Sequence, residues 1–167
     1  EAVYKLREQG YDLQLELVGG GEGVAQRRLD AKIKQRDPKH LFVTQRDFVP
    51  QHSLPQILAN ADLFIFASSC ENMPNTLIEA MAAGLPIACS DRGPMPEVLQ
   101  DGGVYFDPED LESTVEGLKS IIYDKNAQKI SSQKSYELAK KYSWERCSNE
   151  TFDFLLDTLN DYKLANN

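Results

Sequence analysis

Short apolar runs alternate along this chain with longer stretches of helical spacing, and glycine, proline or asparagine marks most of the junctions. Ala2 to Arg7 has helical spacing and Gln9-Gly10 closes it. Leu13-Gln14-Leu15-Glu16-Leu17-Val18 alternates before a glycine cluster, which predicts a strand and a tight turn. Glu22 to Arg36 is amphipathic, with Val24, Leu29 and Ile33 expected inward. A short strand at Leu41-Phe42-Val43 precedes a helix over Ser53 to Asn60, with Ser53 as N-cap and Pro55 in the first turn. Strands at Asp62 to Phe66, Pro86 to Cys89 and Val104 to Phe106 then enclose a helix beginning near Pro74 and a shorter one over Pro96 to Leu99. This alternation predicts an α/β fold: an open parallel sheet with right-handed crossovers and helices on both faces.

Three helices follow, over Glu109 to Tyr123, Ala127 to Lys141 and Trp144 to Tyr162. The last carries Trp144, Cys147, Thr151, Phe152, Leu155, Leu159 and Tyr162 on one apolar stripe, with no strand left to cover it. Lys163 to Asn167 reads as a frayed tail. The chain opens in mid-helix pattern, as though a preceding strand had been cut away, so it is expected to be a fragment.

Composition narrows the function. The 167 residues suit one domain with a full core, and 41% hydrophobic with 26% charged residues is ordinary for a globular protein. A net charge of −8 with scattered lysines and arginines argues against nucleic acid. No apolar run approaches a membrane span.

The chemistry concentrates in Glu71-Asn72-Met73-Pro74-Asn75-Thr76-Leu77-Ile78-Glu79-Ala80-Met81-Ala82-Ala83-Gly84-Leu85-Pro86. It follows the Asp62 strand, at the carboxyl end where open α/β sheets bind ligands. Free N–H groups at the helix start favour phosphate. At roughly 100° per residue, Leu77, Ile78, Met81 and Ala82 are expected on the sheet, leaving Thr76, Glu79, Ala80 and Ala83 opposite. Glu79 then looks into the cleft, and Glu71 reaches it from the loop. Carboxylates accept from hydroxyls and repel phosphate, so the expected ligand carries hydroxyls at both ends with phosphate between. Thr76-Leu77-Ile78-Glu79 also fits a capping box, in which Glu79 would only bond the Thr76 N–H.

The segment resembles the E-x7-E signature of retaining GT-B glycosyltransferases of family 4, in the variant with E-N-x-P-N-T before E-A-M-A-x-G-x-P. Leu17-Val18-Gly19-Gly20-Gly21, Ala61 to Ser68, Asp101-Gly102-Gly103-Val104-Tyr105-Phe106-Asp107-Pro108 and Tyr142-Ser143-Trp144-Glu145-Arg146 keep the order of that family. The resemblance implies one half of a GT-B architecture: a Rossmann-like domain over residues 1–167, with a helical tail from about 124 to 162, that binds a nucleoside diphosphate sugar without metal or other cofactor. It implies Glu71 on the donor sugar as the catalytic candidate and Glu79 on the ribose, with the Asn75, Thr76 and Leu77 backbone on the pyrophosphate. Gly19, Gly20, Gly21, Arg46, Phe48 and Met73 join the donor site. Many relatives have glycines after the first glutamate, whereas Pro74 here has no N–H to give.

The same resemblance implies a cytoplasmic enzyme of polysaccharide or glycoconjugate synthesis, whose N-terminal acceptor domain, first donor-domain strand and phosphate-neutralising Arg and Lys lie outside this sequence. Any peripheral membrane contact would fall to that other domain. An epimerase of the same fold and a non-catalytic binding or assembly module are the alternatives.

Other residues carry weaker signals. Gly19-Gly20-Gly21-Glu22-Gly23 fails the G-x-G-x-x-G fingerprint at Val24, leaving either a tight turn or a close backbone approach for a nucleotide. Arg92-Gly93-Pro94 sits at another strand exit within reach of sugar or phosphate. Cys70, Cys89 and Cys147 lack metal or disulfide spacing and read as reduced thiols, and His40 and His52 as surface residues.

Overall fold

The computed structural model describes residues 1–165. The elements run α1 (Ala2–Glu8), β1 (Leu15–Val18), α2 (Gly23–Arg36), β2 (Val43–Arg46), a 3-10 turn at Gln51–Ser53, α3 (Leu54–Ala59), β3 (Phe64–Phe66), α4 (Asn75–Ala82), β4 (Ile87–Ser90), α5 (Met95–Leu99), β5 (Val104–Phe106), α6 (Leu111–Ile122), α7 (Lys125–Ala139) and α8 (Trp144–Ala165). The expected alternation is therefore present. Every strand pairing is parallel, in two ladders: β1 with β2, and β3–β4–β5. No rung joins β1 to β3.

β4 is buried at all four residues, as a central strand of uniformly apolar or small side chains should be. One face of its ladder packs on α4, α5 and α7 through Leu77, Met81, Leu99 and Leu138. The other packs on α1 and α6, where Leu6, Val115, Leu118 and Ile121 meet Ala88 and Phe106. A smaller cluster under α1 and α2 joins Val3 and Ile33 to Phe42 and Val43. Each fully buried aliphatic side chain of this kind stabilises by about 1.5–3 kcal/mol relative to exposure. Gly103 is fixed by close approach, since a Cβ there would lie 2.6 Å from the Ile87 carbonyl oxygen.

α7 is attached differently. Ser131 Oγ donates to the Gly102 carbonyl (2.6 Å) and accepts from the Ile87 N–H (3.1 Å). Ser132 donates to the Gly84 carbonyl, and Ser135 to that of Leu85 at 3.3 Å. Asp124 caps the helix, accepting from the Asn126 and Ala127 N–H groups.

Several expectations are corrected. β2 begins at Val43 rather than Leu41, because buried Asp37 takes the N–H groups of Leu41, Phe42 and Val43 at 2.7, 2.9 and 2.8 Å. Burial raises the Asp37 carboxyl, but the three N–H donors outweigh it and hold the group below its ordinary pKa. In α2 only Ile33 is buried; Val24 and Leu29 are exposed, since too few apolar positions remain to form a stripe. The α8 stripe, by contrast, is uncovered as expected: it is exposed along its whole length among the described residues. α8 also continues through Lys163 to Ala165, whereas Asn166 and Asn167 lie outside the described residues. No described helix is long and apolar enough to cross a membrane.

Candidate functional site

Parallel strands place all their carboxyl ends on one edge of a ladder, and the loops leaving those ends carry the predicted site residues. Beyond β1, Gly19 adopts φ +118° and donates to the Arg46 carbonyl at 3.1 Å, so the glycine turn folds against the exit of β2. A Cβ on Gly20 would sit 3.5 Å from the Phe48 N, which brings the Gly19 to Gly21 turn and the Asp47–Phe48 loop into contact. Gly21 is exposed. Phe48 is 82% exposed, a large aromatic ring lying open at this rim. Arg46 is bonded through Nε to Glu16, so its charge is answered within the β1–β2 ladder.

β3 leads into the second part of the site. Ser68 Oγ donates to the Cys70 carbonyl at 3.3 Å, turning the chain towards Glu71. Pro74 is buried and holds the N-cap position of α4, with no side-chain cap bond. The Asn75 N–H turns back to the Met73 carbonyl at 2.9 Å, and the Ile78 N–H reaches the Pro74 carbonyl. Thr76 is exposed at the helix start; Leu77 is fully buried, leaving its backbone as the only part with a role towards a ligand. Met73 is 44% exposed above the turn.

Glu79 is the informative residue. The capping-box arrangement is absent, because the helix starts at Asn75 and sets Thr76 inside the first turn. The Glu79 side chain is half-buried with no hydrogen bond or ion pair among the described residues, and that of Glu71 is likewise half-buried without a partner there. The helix is also rotated from the sequence expectation. Leu77, Ala80 and Met81 are buried and Ala82 exposed, because the small Ala80 fits under α7 while Ala82 turns outward.

Arg92, beyond β4, is already engaged by carboxylates. Its guanidinium bonds Asp107 at 2.7 Å and faces Asp91 at 3.4 Å and Glu109 at 3.9 Å. The Asp107 bond and charge raise the Arg92 pKa, while the Glu109 N–H and then Arg92 hold Asp107 below the ordinary carboxylate range. This acidic clamp was missed in the sequence, although Asp107-Pro108 at the exit of β5 stands beside Asp91-Arg92 in the ladder. Cys70 and Cys147 are exposed, and burial pushes the Cys89 thiol up to about 12. No cluster of metal-ligating side chains occurs among the described residues. Two shallow cavities of about 310 Å³ lie elsewhere: one among Tyr4, Arg7, Arg36 and Phe42, the other beside Asp101, Lys134 and Leu138.

Residues 1–138 match the family model described as "Glycosyl transferases group 1". The chain is 29% identical over 133 residues to O-antigen chain mannosyltransferase B of Escherichia coli, covering 80% of this chain and 33% of that protein. It is 31% identical over 96 residues to sulfoquinovosyl transferase SQD2 of Arabidopsis thaliana, covering 54% and 19%. The chain thus spans a third or less of the length of these relatives. Sucrose-phosphate synthase from Thermosynechococcus elongatus superposes on 96% of this chain and 42% of its own, with a TM-score of 0.82 and 20% identity. Anabaena Alr3699/HepE in complex with UDP-glucose superposes on 94% and 44%, with a TM-score of 0.77 and 20% identity.

Proposed function

Since this chain belongs to the glycosyl transferases group 1 family, we propose that it is the C-terminal, donor-binding half of a retaining family 4 glycosyltransferase acting with a nucleoside diphosphate sugar. The observation that carries this reading is the pair of half-buried, partnerless carboxylates on either side of the α4 start, Glu71 and Glu79. Neither carboxylate is tied to a neighbouring side chain or to the helix start, so both are open to accept from a ligand. Hydroxyl donors of a ribose and a sugar would supply the missing bonds.

In this reading Glu79 holds the ribose and Glu71 the donor sugar. The start of α4 lies between them, and Thr76 with the Leu77 backbone faces the diphosphate. As the bond from sugar to phosphate breaks, charge grows on the diphosphate, and oriented N–H groups stabilise it without rearranging. Gly19, Gly20 and Gly21 allow the nucleoside close to the backbone, and Phe48 offers a stacking face. Arg46 and Arg92 are already paired, so cations for the diphosphate are assigned to the rest of the longer enzyme, with the acceptor domain. We assign the chemistry to cytoplasmic assembly of polysaccharide or glycoconjugate, a reading supported for the polysaccharide part by relatives named for O-antigen chain and colanic acid synthesis.

Titrating the chain with UDP and with UDP-glucose while recording backbone amide spectra tests the reading. Gly20, Phe48, Thr76 and Glu79 should shift with both ligands, and Glu71 with UDP-glucose alone. A rim unmoved by several millimolar of either ligand overturns it.

A further inference from the structure

Charge is spread unevenly over this chain. Its net charge is −8, yet Gly23 to His40 holds six of the 18 Lys and Arg and only two of the 26 Asp and Glu. The six are Arg27, Arg28, Lys32, Lys34, Arg36 and Lys39. Neither acid stands among them on the outside. Asp37 is buried and taken by the N–H groups of residues 41 to 43. Asp30 lies roughly 60° around the helix from buried Ile33 and accepts from Gln26 Nε2 at 2.7 Å.

The winding of α2 gathers these cations on one side. Ile33 is its only buried residue. At roughly 100° per residue, Arg27, Arg28, Lys32 and Lys34 lie roughly 100–140° away from Ile33, on the half of the helix turned to solvent. Arg27, Arg28 and Lys34 are exposed without a hydrogen bond or ion pair among the described residues, as is Lys39 just beyond the helix end. Lys32 and Arg36 share Glu1. Val24 and Ala31, nearly opposite Ile33, are exposed between the cations. The 14 residues of α2 extend about 21 Å, so the charged face is a long convex strip.

We infer that this face of α2 docks on an anionic lipid bilayer, with Arg27, Arg28 and Lys34 against the headgroup phosphates and Lys32 and Lys39 at the margins. Charge complementarity selects the bilayer, since clusters of about 4–8 Lys and Arg on a helix are drawn to negatively charged membrane surfaces. A protein partner would ask for more. Interface cores are depleted in Lys and built on aromatic and apolar anchors, whereas α2 exposes only Val24 and Leu29 as large apolar side chains. A nucleic acid strand would ask for rings to stack its bases, and α2 has no aromatic residue. A bilayer requires only cations that approach its surface within about a Debye length, roughly 8–10 Å at ordinary salt. The same screening limits the repulsion from the negative remainder of the chain. No described helix crosses a membrane, so the contact is adsorption by this strip, in addition to any made by the rest of the longer enzyme.

Co-sedimentation of the full chain with vesicles tests this. Vesicles of phosphatidylcholine alone are compared with vesicles carrying about 30% phosphatidylglycerol, at about 0.05 M and 0.5 M salt. One variant combines Arg27→Gln, Arg28→Gln and Lys34→Gln. Its control combines Lys129→Gln, Lys141→Gln and Lys163→Gln, which removes the same charge from exposed positions elsewhere. Thermal unfolding of both should match the parent chain. The parent should bind the phosphatidylglycerol vesicles at low salt, leave them at high salt and ignore the neutral ones. The α2 variant should bind about a hundredfold more weakly, at roughly fivefold per cation, and the control less than about fivefold more weakly. No binding to the anionic vesicles at low salt overturns the inference, and so does a loss in the control as large as in the α2 variant. Binding to neutral vesicles, or binding that survives high salt, overturns it by making an apolar surface such as the α8 stripe the contact. Self-association at low salt without vesicles, abolished in the α2 variant, makes a second copy the occupant. Tighter binding to a single-stranded oligonucleotide at matched phosphate concentration makes nucleic acid the occupant, and either result overturns the inference.

Discussion

Replacing Glu79 by alanine separates a ligand carboxylate from a capping one, because the two roles predict opposite pairs of results. A capping box would make Glu79 a partner of the helix start, and its loss would destabilise by about 0.5–2 kcal/mol. In the structure the N-cap is Pro74, which has no N–H, and Glu79 lies a full turn inside the helix without a partner. What remains for stability is a small favourable interaction of a carboxylate with the helix start, about 0.3–1 kcal/mol, set against relief of desolvation and the higher helix propensity of alanine. These nearly cancel, so the melting temperature should move by no more than about 2 °C, at roughly 2–4 °C per kcal/mol for a chain of this size. Loss of a charged acceptor for the ribose should weaken UDP binding by roughly 1–3 kcal/mol, about 5- to 150-fold. With its diphosphate cations elsewhere, the chain should bind UDP at about millimolar level, near −4 kcal/mol, so the variant should read as several millimolar or weaker. Thermal unfolding and an amide-shift titration with UDP measure both quantities. A fall of 4 °C or more with unchanged UDP affinity would refute the reasoning and return Glu79 to the helix.

Three further outcomes are expected. Glu71→Gln should weaken UDP-glucose by roughly 1–3 kcal/mol and leave UDP unchanged, as read by the same titration. Asp37→Asn should lower the unfolding midpoint at neutral pH. Because the Asp37 pKa is lowered on folding, the stability it contributes is complete above the ordinary carboxylate value near 4 and is lost as pH falls through the folded pKa. The gap between wild type and Asp37→Asn in denaturant melts should therefore shrink below about pH 4 and stay constant above about pH 5. Gly103→Ala should destabilise by about 1–3 kcal/mol, because the new Cβ would meet the Ile87 carbonyl oxygen and Leu99 Cδ2 at 2.6 and 2.8 Å; urea unfolding measures it.

What the sequence made legible was what depends on neighbours along the chain. The strand and helix alternation is written in local periodicity, and β5 falls at Val104 to Phe106 as expected. β2 slipped because its start is set by Asp37, whose side chain reaches forward to residues 41 to 43, and an apolar pattern does not register an acceptor. The α4 face was misjudged for a related reason: Ala80 is buried by α7, an element far along the chain, and alanine says little about its own side. At the site, the loops carrying Gly20 and Phe48 were both expected on the rim, and they do meet there. The pairing of Arg46 with Glu16 and of Arg92 with Asp107 was not legible, because each is a cross-strand contact fixed by ladder register. That Glu71 and Glu79 have no partner is likewise a property of three dimensions.

The serine bonds of α7 set how α4 is aimed. An apolar interface tolerates sliding, since one methyl serves nearly as well as the next, but a hydroxyl matched to one carbonyl does not. Ser132 and Ser135 grip the Gly84 and Leu85 carbonyls, immediately beyond the far end of α4, while Ser131 ties the same helix to Gly102 and Ile87. α7 therefore works as an index pin behind α4: a displacement of one residue would break all of these bonds at once. With its rear end clocked in this way, α4 keeps one rotation about its axis, and the bearing of Glu79 at the front is decided by hydroxyls of the neighbouring helix rather than by the loop that carries Glu71.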